Sequence, residues 1–140
     1  MTTKAYLLQL RTIDMEIAMC SSEAQSWRDL ATKLHHEPSE IRVSTSPAPD
    51  RMENLVIKAA DCEIKADRER DILIYLKETI EKQIKMVDDS FYRCILWGYY
   101  HDRKSFYTIG KQFNYSGKHM ERMMNKAESS FERKFGKGYM

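Results

Sequence analysis

From Thr3 to Leu34, apolar residues recur at alternating spacings of three and four: Tyr6, Leu10, Ile13, Ile17, Cys20, Ala24, Trp27, Ala31 and Leu34. That rhythm holds one narrow apolar seam on a helix, as in a coiled coil, and predicts a helix roughly 50 Å long at about 1.5 Å per residue. A second seam runs through Met52, Leu55, Ala59, Cys62, Ala66, Glu69, Leu73, Leu76, Ile80, Gln83 and Val87, with Glu69 and Gln83 as polar interruptions. Asp50 is placed to cap this second helix, with Glu53 at the capping-box position. Between the seams, the stretch HHEPSEIRVSTSPAP holds three prolines and predicts a linker over residues 35–50.

Two long helices joined by a linker predict an antiparallel hairpin over residues 1–88. If seam partners have residue numbers summing to 86, Leu10 meets Leu76, Trp27 meets Ala59 and Ala24 meets Cys62, while Ile17 falls on Glu69. In that register Cys20 and Cys62 lie about 6 Å out of step along the axis, too far for a disulfide once the interhelical gap is added. Off the seam lie Leu7, Met15, Met19, Val56, Ile57, Ile64, Ile72 and Ile74, enough apolar surface for a second interface. A homo-oligomer through the hairpin is therefore expected.

After Asp88 and Asp89, SFYRCILWGYY predicts a shorter helix whose apolar face includes Phe91, Ile95, Leu96, Tyr99 and Tyr100, with Cys94 as a small core residue. Gly98 within it points to close helix packing or an early helix end. His101–Lys104 reads as a charged turn. The pattern then tightens in SFYTIGKQFNYSGKHMERMMNKA, Ser105 to Ala127. Ser105 caps a short helix, and Ile109 and Phe113 are its apolar positions. Gly110 lets a second helix cross closely, and Asn114 suits a left-handed turn. Ser116 caps a helix over 117–135 with Met120, Met123, Met124, Ala127, Phe131 and Phe135 inward. This is the grammar of a helix-turn-helix, with the preceding helix as its third member. The terminal GKGYM has little reason to be ordered. The fold class expected is all-α: a long antiparallel helical hairpin, then a C-terminal tri-helical helix-turn-helix domain over 89–140.

Charge changes the picture more than composition does. The net charge of +2 divides unevenly: residues 1–100 carry 14 Lys+Arg against 17 Asp+Glu, net −3, and residues 101–140 carry 9 against 4, net +5. The positive end is the end with the helix-turn-helix, as phosphate binding needs. Three widely spaced cysteines without a C-x-x-C pattern fit a reducing cytoplasm, and four histidines without ligand spacing give no metal site. No apolar run is long enough for a membrane span, and charges interrupt any signal-peptide core near the start. No phosphate-cradling loop, nucleophile elbow or carboxylate cluster suggests an enzyme, and no cofactor is expected.

Double-stranded DNA is the partner expected from these residues. A helix fits the major groove, and the first turns of the second helix of such a motif reach base edges. Lys118, His119, Glu121 and Arg122 face outward there. Arg122 can grip guanine O6 and N7, and Glu121 can accept from cytosine N4. Asn125, Lys126 and Lys111, with Arg103 and Lys104 ahead of the motif, are placed for backbone contacts.

From about Ser90 to Phe131, the spacing of Ser116, Met120, Met123, Ala127 and Phe131 resembles region 4 of bacterial sigma factors. The whole chain, including the linker-to-helix stretch SPAPDRMENLVIKAAD, resembles small phage and prophage proteins of the RinA/ArpU type, which are late transcriptional regulators. The resemblance implies a phage transcription regulator in the bacterial host cytoplasm, with promoter DNA and host RNA polymerase as partners. Gly110 replaces the more usual Ala, a change expected to be harmless, and Gly117 stands where sigma factors often carry a basic residue. Two alternatives remain: a DNA-packaging subunit like a small terminase, and an interaction module that contacts only polymerase.

Overall fold

The structure is a computed structural model describing residues 1–36 and 49–140, with side chains described for 1–34 and 51–140. Every regular element among the described residues is helical. They are α1 (Thr3–His36), α2 (Pro49–Lys85), α3 (Ser90–Leu96), α4 (Phe106–Phe113) and α5 (Gly117–Phe135), with a π-helical turn at Trp97–His101 and a 3-10 turn at Gly136–Gly138. The long helices thus extend into both ends of the expected linker. Proline opens α2, where a missing N–H costs nothing. Asp50 falls inside the first turn, and its expected cap contact lies outside the described residues, as do the rest of the linker and the side chains of His35 and His36.

Compactness divides the chain within the two long helices: Met1–Asp14 with Tyr75–Met140 form one unit, and Met15–Ile74 form the other. In the first unit the start of α1 packs on the end of α2, where the Tyr6 hydroxyl donates to Gln83 Oε1 at 2.7 Å and Lys77 Nζ lies 2.6 Å from Asp14 Oδ1. In the second unit Arg28 Nε lies 2.8 Å from Glu63 Oε1. These cross-helix pairs sum to 89, 91 and 91, so the register of 86 is displaced by about four residues. The physical reason is visible in the sequence. Near a sum of 90, Ala24 falls level with Ala66 and Ala31 with Ala59, and Ile17 meets Leu73 in place of Glu69. Ala24, Ala59 and Ala66 are buried and Glu69 is exposed. Cys20 and Cys62 are free thiols. The new register sets them eight residues, roughly 12 Å, out of step along the axis.

The first unit holds a dense core of Leu7, Ile80, Ile84, Ile95, Leu96, Ile109, Met120, Met124 and Phe131. Local chemistry starts each helix that carries it. The Asp89 carboxylate accepts from the N–H groups of Phe91 and Tyr92 at 2.8 and 3.1 Å, which opens α3. Past Leu96 the helix widens by one residue per turn, with Asp102 N–H donating to the Trp97 carbonyl at 3.0 Å. Buried Gly98 lies in this turn and faces Ile109. Cys94 is exposed, not a core residue, because α3 turns Ile95 and Leu96 inward instead.

The chain end is also corrected. It is not loose: Tyr139 stacks on Tyr6 with ring centroids 4.1 Å apart, and its hydroxyl bonds Thr3 Oγ1 at 2.8 Å. Gly136, ahead of it, is buried against Glu132 and Met140. The attachment is to the first turn of α1, more than a hundred residues away, which local reading of GKGYM had no means to find.

Candidate nucleic-acid interface

Ser105 Oγ accepts from the Thr108 N–H at 3.1 Å and starts α4. Asn114 ends it in the left-handed region, at φ 59° and ψ 39°, where its own N–H and that of Tyr115 return to α4 carbonyls. Two residues later Ser116 Oγ accepts from the His119 N–H at 3.2 Å and starts α5. The crossing of α4 and α5 is tight at Gly110. A Cβ there would stand 2.6 Å from the Tyr115 carbonyl oxygen and 3.2 Å from Met120 Cγ. Glycine and alanine are therefore not interchangeable at 110, against the expectation that the exchange is harmless. The turn carbonyl leaves no room for a methyl group.

With Met120, Met124, Ala127 and Phe131 turned inward, the opposite side of α5 is fixed by helical geometry. Lys118, Arg122 and Lys126 follow each other at four-residue steps along it, flanked by Glu121 and Asn125. All five are exposed. Lys118, Glu121, Arg122 and Lys126 make no hydrogen bond or ion pair with any described side chain, so their charged ends are available. Gly117 leaves open space ahead of Lys118, with nothing within 4 Å of a Cβ built there.

The other expected residues are placed differently. The His119 ring is half-buried and meets the Tyr115 ring edge-on at 4.5 Å, which spends its face on packing. Lys111 reaches over the exposed ring of Tyr107, with Nζ 4.7 Å from the centroid. Arg103 is drawn away: its guanidinium lies 3.2 Å from Asp14 Oδ2, and its carbonyl accepts from Arg11. It also adopts φ 60° without being glycine, a conformation this bridge from the turn to α1 helps to hold. Lys104 is half-buried and lines a cavity beside Trp97. The structure brings together the α5 set and separates Arg103 and Lys104 from it.

Two features were missed from sequence. Arg133 lies seven residues beyond Lys126 and beside it, lining one shallow depression with Lys126, Asn125 and Tyr92. The three- and four-residue spacing that places Lys126 on this face also places Arg133, seven residues on. The second feature is the pair of exposed rings Tyr107 and Tyr115, which periodicity alone does not mark. Lys118 to Arg133 makes a basic stripe roughly 22 Å long at about 1.5 Å per residue.

Behind the stripe, Glu128 is buried and its Oε1 accepts a short bond from the Tyr100 hydroxyl at 2.5 Å, with Lys4 Nζ 3.9 Å from Oε2. Burial pushes the Glu128 carboxyl above its ordinary range, against the lowering effect of Tyr100 and Lys4. Burial pushes the Tyr100 phenol up as well. The pair secures α5 to the π-helical turn and takes no part in the exposed face. Among the described residues no group of three or more His, Cys, Asp or Glu side chains could hold a metal ion, and no helix is long and apolar enough to cross a membrane. No protein-family model, curated protein or solved structure matches the chain.

Proposed function

We propose that this chain is a sequence-specific DNA-binding transcriptional regulator of phage or prophage genes, working in the bacterial cytoplasm. In this reading α4 and α5 form a helix-turn-helix and α5 lies in the major groove. The observation that carries it is the row of unpaired cations along the exposed face of α5, opposite a fully buried apolar face, on a helix held by capped, tightly crossed neighbours. A rigid helix with free cations can trade condensed counterions on DNA for its own charges. Its Arg122 and Glu121 offer the donor and acceptor patterns that read guanine and cytosine edges. Asn125, Lys126 and Arg133 then hold phosphates.

Selection from a random duplex library, followed by binding titrations at several salt concentrations, tests this. One short motif should be enriched. Arg122→Ala should cost about 1–3 kcal/mol on that motif and relax its sequence preference. Lys126→Ala should weaken all sequences alike and shallow the salt slope by about one. Binding that ignores salt would sink the reading.

Self-association through the hairpin belongs to the same proposal, supported by the apolar side chains that α1 and α2 leave exposed in the second unit. Those residues also favour the second reading, a packaging subunit, which needs a ring. A closed ring in native mass spectrometry would support packaging, and a dimer would support regulation. Host RNA polymerase enters as a partner only through the sigma-factor resemblance.

A further inference from the structure

A cavity of about 480 Å³ opens in the first unit between the end of α2, the α3–π-turn segment and α4. Its size lies in the range of small-molecule sites, about 300–1,000 Å³. Its floor is apolar: Ile84 and Ile109 are each 1% exposed and are joined by Trp97 and Phe113. The π-helical turn contributes to the space, because widened turns of this kind displace side chains and recur at functional sites. It sets Gly98 against the floor, where a Cβ would already touch Ile109 Cδ1 at 3.5 Å, so a longer side chain would extend into the cavity.

The rim is positive. It carries Lys85, Arg93 and Lys104, against one carboxylate, Asp102, which bonds His101 Nδ1 at 2.9 Å. Arg93 is occupied by the carbonyls of Val87 and Asp88, at 2.7 and 3.3 Å. The two lysines are not so held. Lys85 Nζ stands 5.2 Å from the Trp97 ring centroid, and Lys104 Nζ has no partner among the described residues. Two ammonium groups over an aromatic and aliphatic floor satisfy one kind of guest: an apolar body with an anionic end. The apolar part gains by leaving water, and the charge finds partners without a buried carboxylate to repel it.

We propose that this cavity is a binding site for a small amphipathic organic anion, an aryl- or alkyl-carboxylate. The site is independent of the DNA reading, since it is defined without the α5 stripe.

The test uses the full chain carrying Trp27→Phe, which leaves Trp97 as its one tryptophan, with 4-phenylbutyrate as the probe. 4-Phenylbutylamine and 4-phenylbutanol serve as cationic and neutral analogues of the same body. Phenylbutyrate should change Trp97 emission saturably and slow alkylation of exposed Cys94, with Cys20 and Cys62 as internal controls in the same mass spectrum. Lys85→Glu should weaken binding by about tenfold or more, the loss expected for one charge-assisted contact turned repulsive. Cys94→Phe, at an exposed position on the cavity wall, should block the probe while leaving the thermal melt unchanged. If Cys94→Phe unfolds the chain, Lys85→Glu decides alone. Equal binding of the amine or the alcohol overturns the proposal, as does undiminished Cys94 alkylation at saturation. No saturable binding at millimolar probe overturns it equally.

Discussion

The two compact units are built from the same two long helices, yet they bury different things. In Met1–Asp14 with Tyr75–Met140, the residues removed from water are bulky: Leu7, Ile84, Leu96, Tyr100, Met120 and Phe131. In Met15–Ile74 they are Ala24, Ala59 and Ala66, while Met15, Met19, Ile57, Ile64 and Ile72 stand about half or more exposed. Two helices can share only one narrow seam, and a third layer is needed before large side chains find cover on several sides. The first unit has that layer in α3–α5. The described residues of the second supply only α1 and α2, whose shared seam buries alanines and half-buries Ile17, Trp27 and Leu73.

The largest effect should therefore come from truncating a bulky side chain in the first unit. Phe131→Ala should cost about 3–5 kcal/mol, against less than about 1 kcal/mol for Ile64→Ala in the second. Trp97 and Trp27 report one unit each, so denaturation of single-tryptophan variants reads both. Comparable losses at the two sites would break the comparison. Next is Gly110→Ala, expected to cost about 1–3 kcal/mol by forcing the Tyr115 carbonyl, and Met120 of α5 behind it, away from α4. A neutral result at 110 would mean that the crossing of α4 and α5 is looser than its distances state.

A smaller and pH-dependent effect should come from Glu128. Burial raises its folded-state pKa above the unfolded value, so the folded unit holds the proton more tightly than the unfolded chain does. Its contribution is present at low pH and is lost as pH rises through the interval just above the ordinary carboxylate range. Asp14 has the opposite sign. The hydrogen bond from Lys77, with the further charges of Arg103 and His101, holds it below its ordinary range. Its contribution is lost as pH falls through that lower interval. Glu128→Gln should flatten the upper limb of a stability–pH curve and leave the lower limb in place. An unchanged upper limb would remove Glu128 as its source.

What the sequence made legible follows the range of the interactions. Ser105, Asn114, Ser116 and Asp89 act on backbone groups within three or four residues, and their roles can be read directly from residue type and spacing. The inward face of α5 follows from one periodicity and was equally readable. The hairpin register was not, because two long seams of similar spacing fit each other at several offsets. Only the alanine-on-alanine layers and the escape of Glu69 select one. Docking of Tyr139 on Tyr6, the bridge from Arg103 to Asp14 and the exposure of Cys94 all depend on partners far away in sequence or on the rotation of a short helix. The stripe was visible as far as Lys126. Arg133 lies on the same face by the same spacing, but about four turns from the helix start, beyond the positions that reach base edges in such a motif.

The last test asks whether the exposed residues of the second unit form a surface or merely remain uncovered. Along α2, Ile57, Asp61, Ile64, Arg68 and Ile72 are exposed at three- and four-residue steps. A second copy of α2 laid antiparallel, with residue numbers summing to 129, sets Ile57 on the partner's Ile72 and Ile64 beside its own counterpart. The same offset sets Asp61 on the partner's Arg68, opposite in charge. A twofold contact repeats every such pair, so a few residues give a self-complementary face. Ile57→Asp with Ile64→Asp should leave the monomer folded at a cost of about 1 kcal/mol each, since both side chains are about half exposed. The same pair should abolish the dimer in sedimentation equilibrium. Asp61→Arg should weaken the dimer, and adding Arg68→Asp should restore it, because the swap preserves the pairing while reversing its sense. A chain that sediments as a monomer throughout would leave Met15, Met19, Ile57, Ile64 and Ile72 of the described helices about half or more exposed, with no partner face to cover them.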